Sequence, residues 1–295
     1  MRPTIAYIIK KDITSQNDFI YLIFFIFLAI PAPQNNKNED LSMFFDHTFE
    51  SRIVGGQPAP VGSVPYMVGL TNGLLIRAFL CGGSIVSSRH VLTAAHCIAA
   101  VFSGGTLSNT LRGTVGTNRW SEGGVSYAFS RNITHENYVS QNIKNDIGIL
   151  ITIEDIILHP LIRPVPLSYD FVGGGVPVRA VGWGRIRAGG PISADLLDLT
   201  LHTITGEECI EGVNRARVEF NANSPDVEPH IELCTFHSPG HGTCNGDSGS
   251  PLVSVDSREQ VGIVSWGFPC ARGAPDMFVR ISAFQDWILR NLNEL

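Results

Sequence analysis

The chain has 295 residues, of which 44% are hydrophobic and only 16% charged, with 30 glycines and 17 prolines. Such a composition suits short strands joined by many turns better than long solvated helices, so the expected fold class is all-β. A net charge of -6 leaves no basic face to neutralise phosphates, which argues against nucleic acid as a partner.

The first feature in chain order is Phe19 to Ile30, an unbroken apolar run that follows Lys10 and Lys11. It reads as the core of a secretory signal peptide within residues 1–32. The run is shorter than the roughly 20 residues a spanning helix needs, so no stable membrane association is expected. Asp12 and Asp18 ahead of the run, and Pro31 after it, depart from the usual signal pattern. A wrongly assigned start codon would account for the long leader.

Residues 33–52 are polar, carry little that could build a core, and read as a removable pro-segment. The character changes at Arg52-Ile53-Val54-Gly55-Gly56, where a basic residue precedes two β-branched residues and a glycine pair. A protease that cuts after basic residues would cleave behind Arg52 and free an α-amino group on Ile53, a cation with an ordinary pKa of about 8. Such a cation calls for a buried carboxylate, and Asp247 is the candidate. The same pentad also reads as a plain strand start after a linker.

Val91-Leu92-Thr93-Ala94-Ala95-His96-Cys97 is an apolar run ending in a histidine that, standing alone, would more often be structural. Asn132-Ile133-Thr134 is an N-x-T acceptor sequence and marks Asn132 for a glycan. Asn145-Asp146-Ile147-Gly148-Ile149-Leu150 puts a single acid at the mouth of an apolar strand-like run. Burying that acid would be costly without a partner, and a histidine N–H would suit it.

Between Cys209 and Cys234 the stretch from Glu211 to Glu232 reads as a long loop, either rimming a cleft or a tolerated insertion. In Gly246-Asp247-Ser248-Gly249-Ser250-Pro251, glycines flank a serine closely enough for backbone to approach a ligand. On its own that hexad would be a turn. Ser282 to Leu292 spaces Phe284, Trp287, Ile288 and Leu292 along one helical face after a serine cap, predicting a terminal helix packed on the second half of the fold.

His90, His135, His159, His202, His230, His237 and His241 lack a second ligand at metal spacing and read as surface or loop residues, so neither metal nor cofactor is expected. Six cysteines, outside the CxxC patterns of a zinc site, read as three disulfides made in an oxidising compartment.

RIVGG, TAAHC, the DIGIL acid, GDSGSP and Ser265-Trp266-Gly267 stand in the order found in the chymotrypsin and trypsin family of serine endopeptidases. The chain resembles that family from about Ile53 to Leu295, and the resemblance implies one peptidase domain over 53–295. It implies two six-stranded antiparallel β-barrels with a C-terminal α-helix and a catalytic triad at their interface. By the same resemblance Ser248 is the nucleophile, His96 its general base and Asp146 the acid that orients the imidazole. The N–H groups of Gly246 and Ser248 would form the oxyanion hole, and the disulfides would pair Cys81 with Cys97, Cys209 with Cys234 and Cys244 with Cys270.

In that family the residue six before the nucleophile, here Gly242 and followed by Thr243, forms the base of the primary specificity pocket. Trypsin-like members carry an acid there, so simple Arg/Lys specificity is not implied. The Ser265-Trp266-Gly267 wall admits a large flat side chain. Asp276 stands where most relatives have glycine on the opposite wall, and the Gly242-plus-Asp276 pairing resembles the brachyurin branch, arthropod digestive enzymes similar to crab collagenase. Gly116-Thr117-Asn118-Arg119-Trp120, followed by Gly123-Gly124, resembles arthropod digestive chymotrypsins.

The expectation is a secreted monomeric digestive enzyme, in a setting such as a gut lumen. Aromatic residues or Leu would be favoured before the scissile bond, with Lys and Arg tolerated. Its partners would be protein or peptide substrates, an activating trypsin-like protease and protein protease inhibitors. An Asp276 turned to solvent would instead leave plain chymotryptic preference. Recognised modules are missing before Ile53, which speaks against a targeted cascade protease. A catalytically silent homologue that binds partners, or a regulatory protease of narrow specificity, remain as alternatives.

Overall fold

The computed structural model describes residues 53–268 and 270–293, so the expected signal region, pro-segment and Arg52 lie outside the described residues. The elements in the first half are β1 (Gln57–Pro58), β2 (Met67–Asn72), β3 (Ala78–Ile85), β4 (His90–Thr93), α1 (Ala95–Ala99), the small hairpin β5 (Phe102–Ser103) and β6 (Thr106–Leu107), β7 (Arg112–Val115), β8 (Val125–Thr134) and β9 (Gly148–Thr152). Strands β2-β3-β4-β9-β8-β7 close into an antiparallel barrel. Its apolar filling includes Val68, Leu92, Ile149 and Ile151, which point from neighbouring strands into one core. β9 reads Gly-Ile-Leu-Ile-Thr and is buried along its whole length, as expected of β-branched residues held between two paired neighbours.

The second half runs β10 (Pro177–Gly182), β11 (Leu197–Ile204), α2 (Gly206–Phe220), β12 (Glu232–Phe236), β13 (Pro251–Ser254), β14 (Gln260–Gly267), β15 (Asp276–Arg280), a 3-10 turn at Ile281–Phe284, and α3 (Gln285–Leu292). Strands β11-β10-β13-β14-β15-β12 form a second barrel closed by the β11–β12 pairing, with β1 added beside β11. Val178, Leu201, Leu233, Leu252 and Phe278 build its core. Each such side chain taken from water contributes about 1.5–3 kcal/mol. The all-β expectation of two six-stranded barrels with a terminal helix therefore describes the fold.

The Gly116–Trp120 segment is a seam between the halves. Asn118 donates from Nδ2 to Ala59 O at 2.7 Å, and its carbonyl accepts from Leu196 N and from the Trp183 indole. Trp120 donates its indole N–H to Ser193 O at 2.8 Å. Three disulfides join Cys81 to Cys97, Cys209 to Cys234 and Cys244 to Cys270, and bonds of this kind are worth about 2–5 kcal/mol each.

Three local expectations need correction. The first half of the stretch after Cys209 is helix, since α2 spans Gly206–Phe220 and starts with a capping box: Glu208 N donates to Thr205 Oγ1, and Glu208 Oε2 accepts from Thr205 N. Cys209, Gly212, Val213 and Ala216 recur at helical spacing on its buried face.

The terminal helix begins later than Ser282: that residue sits in the 3-10 turn, and α3 starts at Gln285 without a side-chain cap. Its apolar face joins a core cluster that combines first-barrel side chains with Ile263 of β14 and Val279 of β15. Phe284, Trp287 and Ile288 share a cluster with Val68 and Ile149, and the Trp287 indole donates to Glu136 Oε2.

His90 is fully buried on β4 with Nδ1 2.6 Å from Ser87 Oγ, so it is no surface residue, and burial lowers its pKa. His135, by contrast, is a loop residue, half-buried between Phe284 and Trp287, where burial lowers its pKa. No helix among the described residues is long and apolar enough to cross a membrane.

Candidate active site

Strand pairing brings His96 and Asp146 together. β4 and β9 are antiparallel neighbours with Thr93 opposite Gly148, so the helix that begins after β4 and the residues just before β9 end side by side. His96 on α1 donates its backbone N–H to Asp146 Oδ1 at 2.9 Å, and its ring Nδ1 lies 2.8 Å from Asp146 Oδ2. The carboxylate can only accept, so the ring Nδ1 is the donor in this pair. Ser265 Oγ adds a third donor to Asp146 Oδ2 at 2.6 Å. Asp146 is 1% exposed, and these donors replace the water it has lost.

The turn that presents Asp146 is held in an uncommon backbone state. Ile143 and Asn145 have φ of 53° and 54°, in the left-handed region. That conformation is costly for a β-branched residue, about 1–3 kcal/mol, and it persists only where surrounding contacts over-determine it.

The serine-bearing turn reaches the same place from the second barrel. Ser248 accepts at its carbonyl from Gly82 N at 2.8 Å, and Thr93 Oγ1 donates to Gly82 O at 2.9 Å. A Cβ on Gly249 would lie 2.2 Å from Thr93 Oγ1, and one on Gly82 would lie 2.0 Å from Ser250 Oγ. Only glycine allows this approach. These contacts bring the backbone of the serine turn up to the Thr93-Ala94 segment that leads into the helix carrying His96. The N–H groups of Gly246 and Ser248 donate to no protein acceptor among the described residues, and Gly246 has a φ of 90°.

The residues expected at the specificity pocket also converge. Gly267 lies opposite Asp276 in the β14–β15 ladder, and Trp266 opposite Met277. Asp276 is 6% exposed, its Oδ2 accepting from Thr243 N at 2.8 Å. A Cβ on Gly242 would come within 2.6 Å of that oxygen, and one on Gly267 within 3.3 Å of Oδ1. The carboxyl group is thus enclosed between Gly242 and Gly267 rather than turned to solvent. Burial pushes its pKa up to about 7, only partly opposed by the Thr243 N–H. The Cys244–Cys270 disulfide fastens this pocket base to the segment that follows Gly267.

With that geometry in view, a family model described as Trypsin matches residues 53–288. The chain belongs to the trypsin family. Chymotrypsin-2 of Vespa crabro is 37% identical to it over 240 residues, covering 81% of this chain and 99% of that protein. Trypsin epsilon of Drosophila erecta is 32% identical over 248 residues, covering 83% and 90%. Trypsin alpha-4 of Lucilia cuprina is 29% identical over 241 residues, covering 81% and 87%. As a trypsin-family protein it is a hydrolase of the chymotrypsin type, a serine endopeptidase.

In this trypsin-family chain the segment after the expected cleavage point is already docked. Ile53 is fully buried in the core of the second barrel, and Val54 exchanges both backbone hydrogen bonds with Gly242, the residue expected at the pocket base. Asp247 is fully buried, accepting from Gly184 N at 2.8 Å and Cys244 N at 3.1 Å. Burial lifts its pKa well above the ordinary carboxylate value, the two N–H donors oppose the shift, and the nearby Asp276 charge adds to it. No cationic side chain among the described residues pairs with it.

Cys81, His96 and Cys97 bring three candidate metal-ligating atoms together, yet the two sulfurs are bonded to each other and offer no thiolate. Asn132 lies on β8 and donates from Nδ2 to Thr134 Oγ1 at 3.3 Å. Sequence reasoning missed Thr93, Gly82 and Gly184 as shapers of the site, and missed the donor role of Ser265. It also missed the buried pair Lys144 and Glu232, which neither residue signals alone.

Proposed function

We propose that this endopeptidase is a secreted digestive enzyme, made as a precursor with a signal region (1–32) and a pro-segment (33–52) and activated by a trypsin-like cut after Arg52. Ser248 attacks the carbonyl carbon of the scissile bond while His96 Nε2 takes its proton, giving a tetrahedral oxyanion held by the Gly246 and Ser248 N–H groups. His96 then passes the proton to the leaving amine, and water repeats the sequence to release the acid from the acyl-enzyme. Asp146 holds the ring tautomer and stabilises the imidazolium. The observation that carries this reading is the Asp146 carboxylate accepting from both the His96 ring and its backbone, beside a glycine-flanked serine turn.

Cleavage after Arg52 would create an ammonium group on Ile53. Asp247, buried and served among the described residues by two backbone N–H groups, is the carboxylate this cation would meet, which would order the turn that carries Gly246 and Ser248. The enclosed Asp276 supports mixed preference before the scissile bond: its carboxylate accepts the cation of Lys or Arg, and the apolar walls accept Phe, Tyr or Leu. Protein inhibitors that mimic substrate would enter the same cleft, and the enzyme would act as a monomer.

Activated protein should cleave fluorogenic peptides with Phe, Leu, Lys or Arg before the scissile bond, and a Ser248→Ala variant should cleave none. Equal rates for parent and variant would refute the assignment. Undetectable cleavage after Lys and Arg would remove the Asp276 role alone.

A further inference from the structure

We infer that Lys144 and Glu232 are positioning residues of this peptidase, a buried ion pair that ties the segment carrying Asp146 to the Trp266 indole and so sets the acid and the cleft wall together. The inference rests on the roles proposed above for Asp146 and Trp266. Lys144 Nζ lies 2.8 Å from Glu232 Oε1 and 2.7 Å from Oε2, and both side chains are almost wholly buried. Glu232 Oε1 also accepts from the Trp266 indole at 2.7 Å, and Oε2 accepts from Glu228 N at 2.7 Å. Lys144 Nζ donates further to Asp226 O and stands 5.4 Å over the centre of the Trp266 ring. The network therefore leaves few donors or acceptors of either charge unspent.

Its placement gives it two outputs. Lys144 exchanges both backbone hydrogen bonds with Val139 and is flanked by the left-handed Ile143 and Asn145, so pulling on its side chain acts on a short, constrained turn. Two residues on, Asp146 meets His96 and Ser265. Ser265 is followed by Trp266, whose indole is fixed by the same Glu232. Ile143 joins Trp266, Phe268 and Val213 in one apolar cluster, so the turn and the wall also share packing.

A buried ion pair is a poor device for stability alone, because apolar residues of similar volume often do as well or better. What it adds over such residues is directionality: one carboxylate fixes both the ammonium and the indole.

The test replaces the pair by apolar volume in Lys144→Met/Glu232→Leu, and by a neutral acceptor in Lys144→Met/Glu232→Gln, which retains an oxygen for the indole. Each is activated, titrated with a serine-directed phosphonate, and compared with the parent in kcat and KM on an extended peptide. Melting temperature and near-ultraviolet circular dichroism of the tryptophans are read beside them. A parent that takes up no phosphonate would overturn the reading of the site itself, which separates that failure from failure of this inference.

The expected result is a folded Leu variant whose kcat/KM falls about tenfold or more, with both kcat and KM moved and the tryptophan spectrum altered. The Gln variant should recover the spectrum and most of KM while kcat stays low. If either folded variant keeps kcat and KM within twofold of the parent, with only the melting temperature changed, the pair is structural and the inference falls. If the Leu variant does not fold, the Gln variant alone decides by the same criteria.

Discussion

The rim of the first barrel buries one carboxylate and the floor of the second buries two, and the two regions hold their acids under opposite conditions. Asp146 on the rim accepts from an imidazole, a backbone N–H and a hydroxyl. Asp247 and Asp276 below the second barrel are served by backbone N–H groups and by no cation among the described residues, and burial raises the pKa of both. The difference teaches that the two regions are built for different events. On the function proposed above, the rim acid is already paired, whereas the two floor acids would receive positive charge supplied later, by a new chain terminus or by a substrate side chain.

The comparison can be broken most severely at the rim. Asp146→Asn keeps the shape and lets the ring take the wrong tautomer, and turnover of the activated enzyme should drop about ten-thousandfold with the melting temperature little changed. A kinetic assay at saturating substrate checks this, and a loss under tenfold would deny Asp146 its role. On the floor, Asp247→Asn should leave the Ile53 ammonium without its buried partner. That costs about 3–5 kcal/mol, enough to reduce activity about a hundredfold or more after complete cleavage behind Arg52, as read by active-site titration.

Smaller and more selective is Asp276→Gly, which should cut kcat/KM for Lys and Arg peptides by about ten- to a hundredfold while Phe and Leu peptides keep their rates. Parallel loss on every peptide would instead make Asp276 a structural acid.

The smallest effect is in stability against pH. Asp276 holds its proton more tightly in the folded chain, so the stability this contributes is complete below the ordinary carboxylate value of about 4 and is lost as pH rises through about 7. The melting temperature of Asp276→Asn relative to the parent should therefore climb between pH 4 and pH 8. A flat difference would show that the carboxyl ionises as freely folded as unfolded.

How much of this was legible in the sequence depends on whether the controlling contact is local. TAAHC, the DIGIL acid and GDSGSP were readable only as an ordered set resembling the chymotrypsin and trypsin family, since each alone would pass for ordinary structure. The β4–β9 pairing that delivers His96 to Asp146 and the glycine-permitted Ser248 turn are seen in the fold. Asp276 was identifiable as unusual, but whether its carboxyl faced solvent or the pocket depended on the β14–β15 register with Gly267, a contact no spacing encodes.

The helix α2 was obscured by the Glu and Asn around it, although Thr205 with Glu208, and Cys209 with Val213 and Ala216, carried the capping and periodic signals. His90 was misread because it alternates with residues of a core strand and finds its partner in Ser87, three residues back. Lys144 and Glu232 were invisible as a pair, since 88 residues separate them and either alone would pass for a solvated charge.

The most direct measurement is to treat the protein with a serine-directed phosphonate before and after cleavage behind Arg52, and to locate the adduct by peptide mass spectrometry. The account predicts one adduct, on Ser248, formed rapidly only once Ile53 is the first residue. A cleaved, folded protein that remains unlabelled, or one labelled at another serine, would contradict it.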